Sequence, residues 1–141
     1  MADALRFRND EPVEEPAVTL DAFLEQPDAS AVRLEAGEDP RRLIPELGRG
    51  KLVELRIPRF RDGRCFTAAR ILREAGYEGE IRAEGDVLVD LVAFMRRCGI
   101  DSFAPHSPLN RADVDASLRR YDHVYQHAAD GAVPIWKLRH G

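Results

Sequence analysis

The sequence predicts an α/β protein, a single domain of consecutive βα units around a mostly parallel sheet, with helices on one face or a partial-barrel arrangement. Three observations predict it. Strand-like segments alternate with helical ones, and Gly or Asp marks nearly every reversal. The strands are not continuously apolar. Arg6/Arg8, Arg33/Glu35, Glu54/Arg56 and Glu80/Arg82 point one way, while Leu5/Phe7, Val32/Leu34, Val53/Leu55/Ile57 and Ile81/Ala83 point the other. A sheet covered on both faces needs apolar side chains on both, so this alternation leaves one charged face open to a partner, a ligand or a second copy of the chain. Finally, 141 residues, 44% hydrophobic and 33% charged, suit one core that buries roughly two thirds of the unfolded surface.

Taken in order, Leu5 to Arg8 reads as a short edge strand, and the acidic, Pro-bearing stretch Asn9 to Pro16 as a flexible connection. Thr19 caps a short helix to Glu25, with Asp21 favourable in its first turn. A strand follows over residues 31–36. Asp39-Pro40 then opens a helix that Pro45 should hold to a turn or two. The core of the domain spans residues 51–128, after an acidic N-terminal part (1–50) and before a tail (129–141) that contains Trp136. Within it, a strand from Lys51 to Ile57 leads to a helix from Arg64 to Ala75, stopped by Gly76. Its apolar face is read as Ala68, Ile71, Leu72 and Ala75. A strand over Glu80 to Ala83 precedes a helix capped by Asp86 that runs to Cys98 and is apolar almost all round, which predicts a central, buried helix. After Gly99 comes a strand from Ile100 to Ala104 and a loop at Pro105-His106-Ser107-Pro108. Asn110 caps a last helix with Val114, Leu118, Tyr121, Tyr125 and Ala128 on its core face.

Composition narrows the function classes. The net charge of −4 gives no reason to expect nucleic acid. Residues 1–50 carry 12 acidic and 6 basic side chains, residues 51–141 carry 13 and 15, so the acidic excess lies in the N-terminal part. No apolar run approaches the ~20 residues that span a bilayer, and the first residues have neither signal-peptide nor transit-peptide character. Cys65 and Cys98 form no metal or redox spacing, so a reducing cytoplasm is the expected location. No Gly-rich nucleotide loop or CxxC cluster is present, and no cofactor or metal is expected.

Ligands of parallel α/β sheets collect at the carboxyl ends of strands, which here are residues 58–64, 84–86 and 105–110. The first of these loops brings Arg59, Asp62, Gly63 and Arg64 to the start of a helix that includes Thr67. Guanidiniums beside free helix N–H groups suit an oxyanion. Alternatively, Asp62-Gly63 is a turn and the arginines are solvated. Glu84, Gly85, Asp86 and Asp90 make the second group, with Asp86 or Asp90 the candidate general base and Arg82 a further anion ligand. A cap and an Arg-paired carboxylate are the structural alternatives. His123 and His127, four apart, lie opposite the apolar helix face and read as solvated. Cys65 reads as an inert small side chain.

The stretches FRDGRCFTAARILRE (60–74), GYEGEIRAEGDVLVD (76–90) and MRRCGIDSF (95–103) resemble the bacterial domain-of-unknown-function 934 family, often labelled as oxidoreductases of sulfite reduction. The family pattern usually has Gly where Cys65 stands, commonly Ser at Thr67 and Gln at Leu91. A thiol at position 65 is therefore not a shared chemistry. The resemblance implies an accessory protein of sulfite reduction, docking on sulfite reductase or another sulfur-assimilation enzyme, or handling an oxyanion. In that reading Arg59, Arg64 and Thr67 hold the anion, and Arg82, Asp86 and Asp90 shape the site. Two other expectations stand beside it: a small enzyme acting on an anionic metabolite, and a structural interaction module whose charged sheet face is the interface.

Overall fold

The computed structural model describes residues 5–59 and 63–124, the last four of them as backbone alone. The strands are β1 (Leu5–Arg6), β2 (Val18–Thr19), β3 (Ala31–Leu34), β4 (Leu52–Ile57), β5 (Glu80–Gly85) and β6 (Ser102–Pro105). They form one sheet in the order β1-β6-β5-β4-β3-β2. All neighbours are parallel except β1, which runs antiparallel to β6.

From β2 to β6 the chain advances one strand at a time in a single direction. Right-handed crossovers then place every connecting helix on the same face. Those helices are α1 (Leu20–Glu25), a 3₁₀ segment (Pro40–Arg49), α2 (Arg64–Glu74), and a 3₁₀ turn (Val89–Leu91) leading into α3 (Val92–Cys98). They touch one another in that order, and α4 (Arg111–Val124) closes the layer against α3. Of the two predicted arrangements, the structure has helices on one face of an open sheet.

The core lies between that layer and one set of alternate strand residues: Val32, Leu34, Val53, Leu55, Ile57, Ile81, Ala83 and Phe103. Register aligns them across strands, with Leu34 beside Leu55, Leu55 beside Ala83 and Ala83 beside Phe103. Several helix ends follow their sequence signals. The Thr19 hydroxyl accepts from the Ala22 amide at 3.2 Å, Asp39 from Arg41, and Asn110 from Asp113.

Four expectations change. The 3₁₀ segment holds ten residues despite Pro45, since tighter three-residue turns need no α-type bond at that position. The face of α2 is Cys65, Ala68, Ala69 and Leu72, with Ala75 exposed. Asp86 caps no helix. Its amide donates to the Ile57 carbonyl at 2.9 Å, continuing the β4–β5 ladder, so the 3₁₀ turn starts only after Leu88. The reason is Gly85, at φ +122°, where a Cβ would lie 2.3 Å from the Ile57 carbonyl oxygen; a bare backbone lets the two strand ends close. The helix that follows is consequently short, although Val92, Ala93, Met95 and Cys98 are buried as its apolar sequence predicts. Leu88 and Phe94 remain over a third exposed, and Phe94 meets Phe66 edge-on at 5.0 Å. Of the last helix's predicted core face, Val114 is buried and Leu118 partly so, whereas the side chains of Tyr121, His123, Tyr125, His127 and Ala128, and the tail with Trp136, lie outside the described residues.

Because β1 and β2 are opposite edges, residues 7–17 must cross the width of the sheet, five strand spacings or about 24 Å. Eleven residues reach that far only when fairly extended. The crossing is tied at both ends. Arg6 donates to the Asp10 carboxylate at 2.7 Å and Arg8 grips it with two nitrogens, while Glu15 accepts from the Ser30 amide at 2.9 Å and from its hydroxyl at 2.6 Å. The stretch predicted to be a flexible connection is thus a strap fixed at each side.

Candidate functional site

Opposite the helices, the second set of alternate residues forms a charged ladder. Its middle row runs Arg33, Glu54, Arg82, Ser102, Arg6 across β3, β4, β5, β6 and β1. Beside it, Arg56 of β4 is in register with Glu84 of β5, and Leu52 with Glu80. Among the described residues no helix packs on this side.

Two of its carboxylates are buried, Glu80 at 1% exposure and Glu54 at 7%. A buried carboxylate is costly unless its oxygens are bonded. Each therefore has two arginines. Glu54 takes Arg33 at 2.9 Å and Arg82 at 3.5 Å; Glu80 takes Arg6 at 3.1 Å and Arg82 at 3.4 Å. The hydrogen bond to Glu54 raises the Arg33 pKa. Burial lowers that of Arg6, but hydrogen bonds to Glu80 and Asp10 outweigh it and the net shift is upward. At the carboxyl end of the strands, Arg56 stands 3.3 Å from Glu84 and 3.9 Å from Glu35, and the His106 Nε2 lies 3.2 Å from the other Glu84 oxygen.

Three buried side-chain atoms among the described residues have no hydrogen-bond partner: Arg82 Nε, Glu84 Oε1 and Ser102 Oγ. All three belong to this open face. The Glu84 oxygen is within ion-pair range of Arg56 without hydrogen-bond geometry.

The residues singled out from the sequence fall into three places. Arg82 and Glu84 join the ladder on the open face, with Gly85 closing β5 onto β4. Arg59, Gly63, Arg64 and Thr67 are exposed around the head of α2, on the helix side, and the Arg64 guanidinium lies near Gly37 in the loop after β3. Asp62 lies outside the described residues. Asp86 is half-buried between these groups. Asp90 faces away from both, its side chain 79% exposed and 3.7 Å from Arg120 of α4. Strand alternation thus separates Arg82 from the arginines at the head of α2.

Ser102 and His106 escaped the sequence reading as site residues. Their partners are twenty or more positions away, and only the register of β5 on β6 brings them together. The one available signal is parity: Ser102 shares its face with Ala104, in a strand whose Phe103 enters the core.

Both cysteines are buried and unbridged, and burial pushes the Cys98 thiol upward, away from the thiolate that redox chemistry needs. Among the described residues no three His, Cys, Asp or Glu side chains group as metal ligands, and no helix is long and apolar enough to cross a membrane.

No curated protein and no solved structure matches the chain. A family model does, described as "Bacterial protein of unknown function (DUF934)", over residues 31–136, which takes in every strand of the sheet except β1 and β2. With three quarters of its length matched, the chain belongs to that family.

Proposed function

We propose that the protein is an accessory factor of sulfite reduction whose open sheet face docks on a partner enzyme, sulfite reductase being the first candidate. The observation that carries the docking half is a ladder that no helix covers among the described residues: β3, β4 and β5 present half-buried arginines and buried carboxylates side by side, and β1 adds Arg6 beyond β6. Interfaces favour arginine, whose planar fork binds carboxylates with little loss of freedom. Because the ladder holds its charges in alternation, the partner it suits is one of matching alternation rather than a uniformly acidic or basic surface. The sulfur half rests on the family resemblance carried by residues 60–74, 76–90 and 95–103.

A capture experiment tests this reading. Immobilised protein should retain sulfite reductase, and Arg56→Glu, at the exposed end of the ladder, should lose most of that retention. Arg119→Glu, on the exposed side of α4, should keep it. Equal retention by both variants, or none by the wild type, defeats the proposal. The enzyme reading, with Asp86 or Asp90 as base, gains less from the geometry: Asp90 is solvated beside Arg120.

A further inference from the structure

Arg82 differs from the other arginines of the ladder. Its two bonds, at 3.5 and 3.4 Å, are longer than those of Arg33 and Arg6 to the same carboxylates, at 2.9 and 3.1 Å. If Arg82 turned aside, Glu54 would keep Arg33 and Glu80 would keep Arg6. No carboxylate would be stranded, which is what makes removal of one partner from a buried pair so costly elsewhere. Arg82 is the cation this face can release most cheaply.

Beside it stands an unmet hydrogen-bonding set. Arg82 Nε is a donor without an acceptor, and Ser102, at 1% exposure and in register with Arg82 on β6, has a hydroxyl without any partner. Buried polar groups are rarely left so, and a cluster of them asks for a cause. Two residues along β5, Glu84 Oε1 is an acceptor that also lacks a hydrogen bond, with the Arg56 Nε in ion-pair range at 3.3 Å. The residue opposite Glu84 on β6 is Ala104, whose side chain has no polar atom to offer it.

We propose that Arg82, Ser102 and Glu84 form a binding site for a small oxyanion that carries a proton, such as hydrogen phosphate or hydrogen sulfite. Arg82 turns from Glu54 and Glu80 and gives its Nε–H to one anion oxygen. The Ser102 hydroxyl donates to the same or a second oxygen. Glu84 Oε1 accepts from the anion's own O–H. That last contact is selective, because a fully deprotonated anion such as sulfate, or a carboxylate, would set lone pairs against lone pairs there. The other charges near the site are accounted for: Arg56 and His106 flank Glu84 and moderate its field, while Glu80 and Glu54 stay neutralised by Arg6 and Arg33. The site is independent of any docked partner, so it stands or falls apart from the proposal above.

The test is a titration of the full chain, at constant ionic strength and neutral pH, with inorganic phosphate, sulfite, sulfate and acetate, read from the arginine Nε–Hε signals in ¹H–¹⁵N spectra. Phosphate and sulfite should shift the Arg82 signal saturably, and sulfate and acetate should not. Ser102→Ala removes one oxygen from a buried position and should weaken binding roughly tenfold. Arg82→Gln should abolish it, and Glu84→Gln, which can donate, should admit sulfate. No saturable shift of Arg82 in the wild-type chain overturns the proposal. So does a shift confined to Arg59 or Arg64, which would place the anion at the head of α2, or equal binding of all four anions.

Discussion

The two faces of one sheet use opposite means to bury side chains. On the helix side, Leu55, Ile57, Ile81 and Phe103 are at most 2% exposed and have no polar atoms to satisfy. Their contribution is area removed from water, about 25 cal/mol per Å², and it asks only for matching volume. On the open side, Glu80 is as buried as Ile57, yet it is a carboxylic side chain, and Arg6 and Arg82 hold it. Such pairing contributes little net stability, because desolvation offsets attraction. A chain under selection for stability alone has no need to keep it there. The contrast teaches that the helix side holds the fold together, whereas the open side spends stability on a patterned surface.

That contrast can be broken in steps of decreasing size. Phe103→Ala, in the centre of the helix side, should cost about 3–5 kcal/mol in denaturant unfolding, the range for a large aromatic whose cavity cannot collapse. A cost near 1 kcal/mol would mean the core is looser than its burial implies. Glu80→Ala on the open side should cost less, roughly 1.5–3 kcal/mol, as Arg6 and Arg82 lose a charged acceptor but can turn toward water. Were it as damaging as Phe103→Ala, the ladder would be part of the core and the distinction between faces would fail.

Acid sharpens the comparison at the strap. Asp10 is held well below the usual carboxylate range by hydrogen bonds from Arg8 and then Arg6, and Glu15 is lowered chiefly by the Ser30 hydroxyl. Both are depressed in the folded state. Their stabilisation is therefore complete above the unfolded carboxylate values, near pH 4, and is lost as pH falls through the folded ones. Glu15→Gln should be less stable than wild type near neutrality, and the difference should shrink as pH falls below about 4; a gap independent of pH would argue against it. The smallest effect belongs to Asp90→Asn. Its partner Arg120 is 67% exposed and 3.7 Å away, so the change in stability should stay under about 0.5 kcal/mol. A loss of function without a loss of stability would instead revive Asp90 as a chemical group.

Much of this frame was legible in the sequence, because period-two alternation is a local property. Arg33/Glu35, Glu54/Arg56 and Glu80/Arg82 announce the charged face before any fold is known, and Gly76 and Asn110 mark helix boundaries by their own chemistry. What was not legible depends on register and on backbone contacts between strands. Nothing local says that the β4–β5 pairing runs on to Asp86 and that the turn starts only after Leu88, too far along for Asp86 to cap it. Nor does a single strand reveal that Ser102 lies opposite Arg82, or that His106 reaches Glu84 across 22 positions. The opposite placement of β1 and β2, and with it the strap, is a topological fact that composition read as a loose linker.

The central claim is that the open face, and not the helix layer, meets the partner. Carboxylate footprinting of the chain alone and mixed with sulfite reductase measures this most directly. Glu35 and Glu84 on the ladder should lose reactivity in the mixture, while Asp113 and Asp115 on α4 should keep theirs. Protection of the α4 carboxylates with the ladder unchanged, or no protection anywhere, would contradict it.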